Sequence, residues 1–504
     1  MAEQPPWEDL PALCWEAVLR RLVSADDLES VSSVCKRLLH ISNTVRTSLS
    51  ITNRLTPRCL GSLLRCFTSL KSIDLSSFRG DPSSVLLHIA QFPLLGDANL
   101  VSIAECFPAL EELDISYPLQ SDSARVTDDG ISDLSRKLQR LSRMNLSGNR
   151  SLSDQSLVVL SVNCPSLKEI KLGGCGSIIG RGIAPLIVNR PHLVSLALNY
   201  TTLEAIFREE LVDSFGHSRG FISLDFSGSF IWDGLLMAVA EANIPLKRLI
   251  LSRALGFSFD EIQMIMLCHQ DIEVLDLEAV RFLTDDDMSV ICEDLRSLTH
   301  INICRCSNLT MATLYSLMTQ CPFLKAIKMG KTNLREDDAN ETDIVVNSQV
   351  RYLHIPYNGK LTDECLKKIR RMCPNLQYLD VSNCSKITGD GISGVLKSCA
   401  EICYLKICEV LQAEGLKLNE EQLAAFISKC CHLKNLNLMD CVMKNCYTLR
   451  GINVRNYNNG RGDFPLLDWK LSMWSSLRRI VPPSRLVSSE TQDFFLKHWL
   501  SRQG

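Results

Sequence analysis

The sequence predicts an α/β solenoid of about 14–15 strand–helix repeats, preceded by a small all-α segment. A seven-residue apolar pattern, L-x-x-L-x-L with other apolar residues substituting, recurs fifteen times, and six consecutive intervals between its central positions are 26 residues long. The first 48 residues do not follow this pattern and instead carry apolar residues at helical spacing. The chain of 504 residues is also longer than a single compact domain usually is, whereas an elongated repeat array can have this length.

Each repeat is predicted to contain a short strand followed by a helix. The last three residues of the pattern alternate apolar and other residues, which places the apolar side chains on one face of a strand. Sequences such as Thr284-Asp285-Asp286 then suit the capped N-terminus of a helix. One such unit cannot bury its apolar edge alone, so stacked units are expected to form a curved solenoid with strands inside and helices outside. The predicted central strand residues are Ile73, Leu113, Met144, Ile170, Leu196, Leu224, Leu249, Leu275, Ile301, Ile327, Leu353, Leu379, Leu405, Leu436 and Ile452.

The segment from Cys373 to Thr388, CPNLQYLDVSNCSKIT, resembles a cysteine-containing leucine-rich repeat. Twelve of the 22 cysteines fall six or seven residues before a central position, or five after it. We therefore interpret them as small, reduced, buried repeat residues, since their spacing matches no zinc motif. These are the cysteines at 66, 106, 164, 268, 321, 373, 399 and 430, and at 175, 306, 384 and 441.

Residues 10–38 are predicted to form two or three short helices. Pro11 suits the start of a helix, and Trp15, Leu19 and Leu22 then share one helical face. Ser24 with Asp27 three residues later is a capping-box pattern. A piece of this size is too small for an independent core and should need the solenoid or a partner.

This N-terminal segment resembles an F-box, and an F-box followed by leucine-rich repeats resembles the F-box/LRR family. The resemblance implies a substrate-recognition subunit of a Skp–cullin–F-box ubiquitin ligase, which promotes ubiquitination and degradation of a bound protein. It also implies an F-box at 1–48 and leucine-rich repeats at 49–460. The segment 461–504 is rich in aromatic residues, and we therefore expect it to cap the last repeat; these residues are Trp469, Trp474, Phe494, Phe495 and Trp499. The residues that match adaptor-facing or core positions of the family are Leu10, Pro11, Val18, Leu19, Leu22, Leu28, Val34 and Cys35.

Composition and motifs argue against several other classes. The net charge of −3 and the lack of a long apolar run predict neither nucleic acid nor membrane as a partner, and we expect a location in the cytoplasm, the nucleus or both. Phosphate-loop, nucleophile-elbow and zinc-protease motifs do not occur, so a non-catalytic chain without cofactor or metal is expected. A repeat scaffold without ligase assembly, and a small-molecule co-receptor of the auxin or jasmonate receptor type, remain alternatives.

The strands suggest where a substrate would bind. Tyr352, Tyr378 and Tyr404 lie one residue before three successive central positions, so their rings should form a ladder on the open face of the sheet. Aromatic rings beside positive charge suit a peptide with apolar and acidic or phosphorylated residues. The alternative is a ladder that only packs against itself, with solvated cations around it. The basic residues of this predicted site are Lys328, His354, Lys406, Arg253, Arg281, Arg305 and Lys331.

Overall fold

The computed structural model describes residues 10–22, 25–50, 66–76, 95–118, 125–178, 181–201, 208–335 and 345–407, together with two strands at 435–437 and 453–455. The chain divides into two compact units, Met1–Tyr457 and Asn458–Gly504. Every described residue belongs to the first unit. The predicted capping segment at 461–504 and the cysteines at 430 and 441 lie outside the described residues.

The described part of the chain forms a leucine-rich-repeat solenoid preceded by three short helices, α1 (Ala12–Leu19), α2 (Ala25–Ser32) and α3 (Lys36–Val45). Sixteen short parallel strands form one sheet in which each strand pairs with its neighbours in chain order. Helices follow most strands, as expected for stacked strand–helix units. The predicted fold class is confirmed.

The strands are β1 (Ser48–Ser50), β2 (Ser72–Asp74), β3 (Glu112–Asp114), β4 (Arg143–Asn145), β5 (Glu169–Lys171), β6 (Ser195–Ala197), β7 (Ser223–Asp225), β8 (Arg248–Ile250), β9 (Val274–Asp276), β10 (His300–Asn302), β11 (Ala326–Lys328), β12 (Tyr352–His354), β13 (Tyr378–Asp380), β14 (Tyr404–Lys406), β15 (Asn435–Asn437) and β16 (Asn453–Arg455). The helices of the repeats are α4 (Asp97–Cys106), α5 (Asp128–Lys137), α6 (Asp154–Asn163), α7 (Ile183–Asn189), α8 (Arg208–Phe215), α9 (Asp233–Glu241), α10 (Phe259–Cys268), α11 (Asp285–Cys292), α12 (Met311–Gln320), α13 (Asp363–Met372) and α14 (Gly389–Ser398).

Fourteen of the fifteen predicted strands, β2 to β15, are centred on the predicted residue. The last prediction is wrong by two residues, because β16 pairs Val454, and not Ile452, with Leu436. One strand was not predicted at all: β1 places Leu49 beside Ile73, although Arg46 stands where the pattern requires an apolar residue.

The centre of each strand points into the core. From β2 to β14 the central side chain is at most 2% exposed, and the two flanking residues face the opposite side of the sheet. Full burial of one aliphatic side chain contributes roughly 1.5–3 kcal/mol. The row of central residues therefore supplies a large share of the apolar burial and leaves the flanking residues free to form a surface.

An aspartate at the first helical position links neighbouring repeats. Asp285, the first residue of α11, accepts hydrogen bonds from the backbone N–H of Thr310 at 2.9 Å and from its hydroxyl at 2.7 Å. Thr310 is itself the N-cap of α12, so one carboxylate lies at the positive end of its own helix and fixes the start of the next. Thr127 makes the same two bonds to Asp97.

Every strand from β3 to β13 is followed by a residue in the left-handed backbone region, four positions after the strand centre. In the ten repeats from β3 to β12 the N–H of this residue donates to a carbonyl of the next repeat, as from Arg253 to Glu278 at 2.6 Å and from Lys331 to Pro356 at 2.7 Å. We call these eleven residues the left-handed row. They are Tyr117, Gly148, Gly174, Tyr200, Gly228, Arg253, Ala279, Arg305, Lys331, Tyr357 and Asn383.

The position after the left-handed row explains one set of cysteines. The thiols of Cys175, Cys306 and Cys384 are buried and lie 3.2–3.3 Å from a carbonyl oxygen of the preceding repeat, to which they donate. Asn149 and Asn358 make the equivalent bonds with their side-chain amides. Burial raises the pKa of Cys175 to about 11 and that of Cys306 and Cys384 to about 12, so these thiols are structural donors and not nucleophiles.

The other set of cysteines needs a correction. Four described cysteines that lie at a distance of six residues before a strand centre are buried as predicted: Cys164, Cys321, Cys373 and Cys399. Cys106 and Cys268 lie seven residues before it and are exposed, and Cys66 is half-buried. Cys106 and Cys268 end their helices, and a shift of one residue turns a side chain by about 100° around the helix axis.

Candidate functional site

The N-terminal helices form a small core of their own. Leu19, Ile41 and Val45 are buried together, and Leu22 and Leu28 pack against them. Three of the eight predicted adaptor-facing residues, Leu19, Leu22 and Leu28, therefore support the packing of the helices. Leu38, at a position where the F-box family usually has tryptophan, is also buried.

The opposite face of α1 is apolar and exposed. Leu10, Pro11 and Val18 are among the predicted residues on this side, and both Val34 and Cys35 are exposed in the turn before α3. The Arg37 guanidinium donates to the Leu10 carbonyl, which joins that turn to the start of α1.

The prediction missed three residues of this face. Leu13, Cys14 and Ala17 are exposed, and Leu13 is 76% exposed. At 100° per residue they fall in the same arc as Val18, opposite Trp15 and Leu19, so a helical projection from the predicted start of α1 would have found them. We call Leu10, Leu13, Cys14, Ala17 and Val18 the α1 apolar face. A contiguous exposed apolar surface of this kind is typical of a site that binds another protein.

The second surface is the open face of the sheet, formed by the first and third residues of the strands. The predicted tyrosine ladder is present there. The ring centroids of Tyr352 and Tyr378 are 4.0 Å apart, those of Tyr378 and Tyr404 are 4.8 Å apart, and both pairs are within 13° of parallel. Burial, with a contribution from the hydrogen bond with Tyr352, raises the pKa of Tyr378, so its hydroxyl stays neutral.

Two of the predicted basic residues beside the ladder, His354 and Lys406, contact a buried carboxylate. Asp380 Oδ2 lies 3.1 Å from His354 Nδ1 and 3.3 Å from Lys406 Nζ, and the Asp380 side chain is fully buried. Its other oxygen accepts the backbone N–H of Ser382 at 3.0 Å. Burial by itself would raise the pKa of Asp380, but the hydrogen bonds from His354 and Ser382 and the charge of Lys406 lower it to about 2.

The basic row at the strand exits is likewise partly neutralised. Glu278 Oε1 lies 2.9 Å from Arg253 and 3.4 Å from Arg305, so one acidic residue holds two of the predicted cations. Lys328, Arg281 and Lys331 have exposed side chains. The sequence did not point to Glu278, because nothing in the repeat pattern indicates the direction of a side chain beyond the strand end.

A further group of basic residues surrounds His300 on the strands before the ladder, and of these only Lys328 is among the predicted residues. His300 is at the same strand position as the tyrosines, and burial together with the charges of Lys325, Arg248 and Lys328 lowers its pKa. The signal was available, since Arg248 and His300 occupy the first strand position, as the tyrosines do. The open face therefore changes from basic on β8–β11 to aromatic on β12–β14.

Neither a metal cluster nor a membrane span is found in the described parts of the chain. No three His, Cys, Asp or Glu side chains there lie close enough together to hold a metal ion. None of the helices in the same residues is long and apolar enough to cross a bilayer.

Comparison with known proteins gives a partial match in sequence. No known protein-family profile matches the chain. It is 31% identical over 99 residues to F-box/LRR-repeat protein 4 of Bos taurus. That alignment covers 20% of this chain and 15% of the relative, so the chain matches only a small part of the length of this protein.

Comparison with solved structures finds partial similarities with low TM-scores. A chain of the yeast Rad7–Elc1 complex has a TM-score of 0.48 at 18% identity and covers 76% of this chain and 90% of its own length. A chain of the TLR13–ssRNA13 complex has a TM-score of 0.45 at 16% identity, with coverage of 79% and 57%. The chain's own strands and helices establish the leucine-rich-repeat solenoid, and the sequence comparison adds a partial similarity to an F-box/LRR-repeat protein.

Proposed function

We propose that this chain is the substrate-recognition subunit of a Skp–cullin–F-box ubiquitin ligase and is not itself catalytic. The observation that carries the proposal is the exposed α1 apolar face on a three-helix segment directly before a leucine-rich-repeat solenoid. The partial similarity to an F-box/LRR-repeat protein and the F-box-like order of residues in the same segment support it. The proposed result of the activity is ubiquitination and degradation of a bound protein.

In this proposal each of the two surfaces binds a different partner. The α1 apolar face docks on a Skp-type adaptor and, through it, on a cullin, because burying a few large apolar side chains dominates the energy of a small interface. The open face of the solenoid holds the substrate. Tethering both in one complex raises the concentration of substrate near the conjugating enzyme, so the chain itself needs no nucleophile.

Affinity purification with mass spectrometry tests the adaptor contact. Leu13→Asp places a charge on the α1 apolar face, and because Leu13 is 76% exposed the helices should still fold. We expect recovery of adaptor and cullin to fall at least tenfold, while proteins bound to the solenoid are recovered as before. The double change Leu10→Ala, Pro11→Ala should also reduce adaptor recovery at least tenfold.

The matched control is Val162→Asp. Val162 is 65% exposed on α6 of the solenoid, so the substitution also replaces an exposed aliphatic side chain by aspartate but lies on a different element. Adaptor recovery should be unchanged with this variant. If Leu13→Asp and Val162→Asp both retain adaptor and cullin at the wild-type level, the ligase proposal is wrong, and a repeat scaffold becomes the better interpretation.

A further inference from the structure

The tyrosine ladder ends beside a small residue. Tyr352 on β12 pairs in register with Ala326 on β11, and Ala326 pairs with His300 on β10. Adjacent strands lie about 4.8 Å apart, so the His300 and Tyr352 backbones are roughly 10 Å apart on the open face. The side chain between them is a single methyl group.

The spacing of the ladder matches the size of this gap. Its rings follow one another at 4.0 and 4.8 Å, and a further ring at that spacing on the other face of Tyr352 would lie above Ala326. Among the described residues, no aromatic ring stacks on that face. The sheet therefore presents a flat aromatic wall with room for one more planar group.

The surroundings of the gap carry an excess of positive charge. Lys325 lies one residue before Ala326 and Lys328 two residues after it, and both are exposed; Arg248 lies at the first position of β8. The carboxylates closest along the sheet have partners: Asp276 accepts a hydrogen bond from Asn302 at 3.0 Å, and Glu278 pairs with two arginines. A group bound above Ala326 would lie between Tyr352 and His300, with Lys325 and Lys328 beside it.

We propose that the gap above Ala326 is a subsite for an aromatic side chain that carries, or is followed by, a negative charge in the bound protein. The ring stacks on Tyr352 and the anion pairs with Lys328 and its basic neighbours, since offset-stacked rings and charge-assisted hydrogen bonds suit these partners. Two sources share this chemistry: phosphotyrosine, and an aromatic residue beside aspartate or glutamate. The inference rests on the proposed function, because it names the substrate chemistry of the same open face.

A positional-scanning peptide library, bound by the purified full-length chain, tests the subsite. The library fixes each position in turn as one amino acid or as phosphotyrosine. We expect selection of phosphotyrosine, or of an aromatic residue beside an acidic one, and the fixed-position series shows which source is preferred. Ala326→Tyr adds the missing ring and should reduce the aromatic selection at least fivefold, whereas Ala326→Ser leaves the gap open and should retain it.

Charge reversal gives the second arm. Lys328→Glu should abolish selection for the anion, whereas Lys171→Glu, at the same strand position on β5, should not. Aromatic selection that persists in Ala326→Tyr, or a wild-type chain that selects no aromatic residue, would overturn the inference. The proposed function is tested separately: Ala326→Tyr should keep wild-type adaptor recovery, and only the Leu13→Asp experiment decides whether the chain assembles with an adaptor.

Discussion

Asp380 offers a quantitative test of the open face, because its carboxylate makes two kinds of interaction. One oxygen accepts a hydrogen bond in the turn after β13, and the other faces His354 and Lys406. Asp380→Asn keeps an oxygen that can accept the Ser382 N–H but removes the charge that faces His354 and Lys406. A pKa lowered from 3.8 to about 2 corresponds to about 2 kcal/mol of stabilisation of the ionised form. We expect Asp380→Asn to lower the local free energy of unfolding by about that amount at pH 7.

The pH dependence has a definite sign. The folded-state pKa is depressed, so the stabilisation is fully present above the unfolded-state value of 3.8 and is lost as the pH falls toward 2. The difference between wild type and Asp380→Asn should therefore shrink by about half between pH 6 and pH 3. Solenoids can unfold locally, so the measurement is hydrogen exchange of the β12–β14 amides at increasing urea concentration.

Asp225→Asn is the matched control for this experiment. Asp225 occupies the same strand position on β7 and accepts the same turn hydrogen bond, from Ser227, but its second oxygen faces the Asn199 amide instead of a cation. Its effect should be smaller at neutral pH. If Asp380→Asn costs the same at pH 6 and pH 3, or costs nothing at either, the assigned role of the His354–Asp380–Lys406 cluster is wrong.

Three further predictions concern the repeats themselves. Gly228→Ala should destabilise its repeat by more than 1 kcal/mol, because φ is +66° and a Cβ would lie 2.3 Å from Tyr200 Cε1; adding Tyr200→Ala should relieve only the steric part in urea denaturation. Asp285→Ala should cost about 1–3 kcal/mol in the same assay and Asp286→Ala, which is exposed in the same helical turn, much less. Cys306 should resist alkylation at pH 7.5 until the chain is unfolded, whereas the exposed cysteines react, as mass spectrometry of tryptic peptides can show.

The strand positions were predictable because the buried strand centres require apolar residues at regular intervals in the sequence. Leu379 and its equivalents recur at a fixed interval since each must fill the same place in the core. The pattern fails where that mark is ambiguous. Alternation has a period of two, so Ile452 and Val454 fit the same face equally well and only backbone pairing separates them. At β1, packing of Leu49 against the core outweighs the polar residue at Arg46.

The candidate site was only partly predictable, for a different reason. The tyrosine ladder follows directly from three residues at one strand position in successive repeats. The pairing of Glu278 with Arg253 and Arg305 depends on side-chain directions in the turns, which no periodicity specifies. The predicted adaptor residues formed one set in the sequence, and only the packing of the helices separates the buried Leu19 from the exposed Val18.

In the left-handed row the main chain holds the turn conformation, while the side chains determine the chemistry of the surface. At ten of its eleven positions, Tyr117 to Tyr357, a main-chain N–H bonded to the next repeat holds the conformation. The side chain is not needed for that bond, and the row accommodates tyrosine, arginine, lysine, asparagine, alanine and glycine alike. Valine, isoleucine, threonine and proline do not occur there, as the backbone geometry requires. Natural variation or engineering could thus alter the chemistry along this edge one residue at a time, at a cost of roughly 1–2 kcal/mol or less per step and without redesigning any repeat.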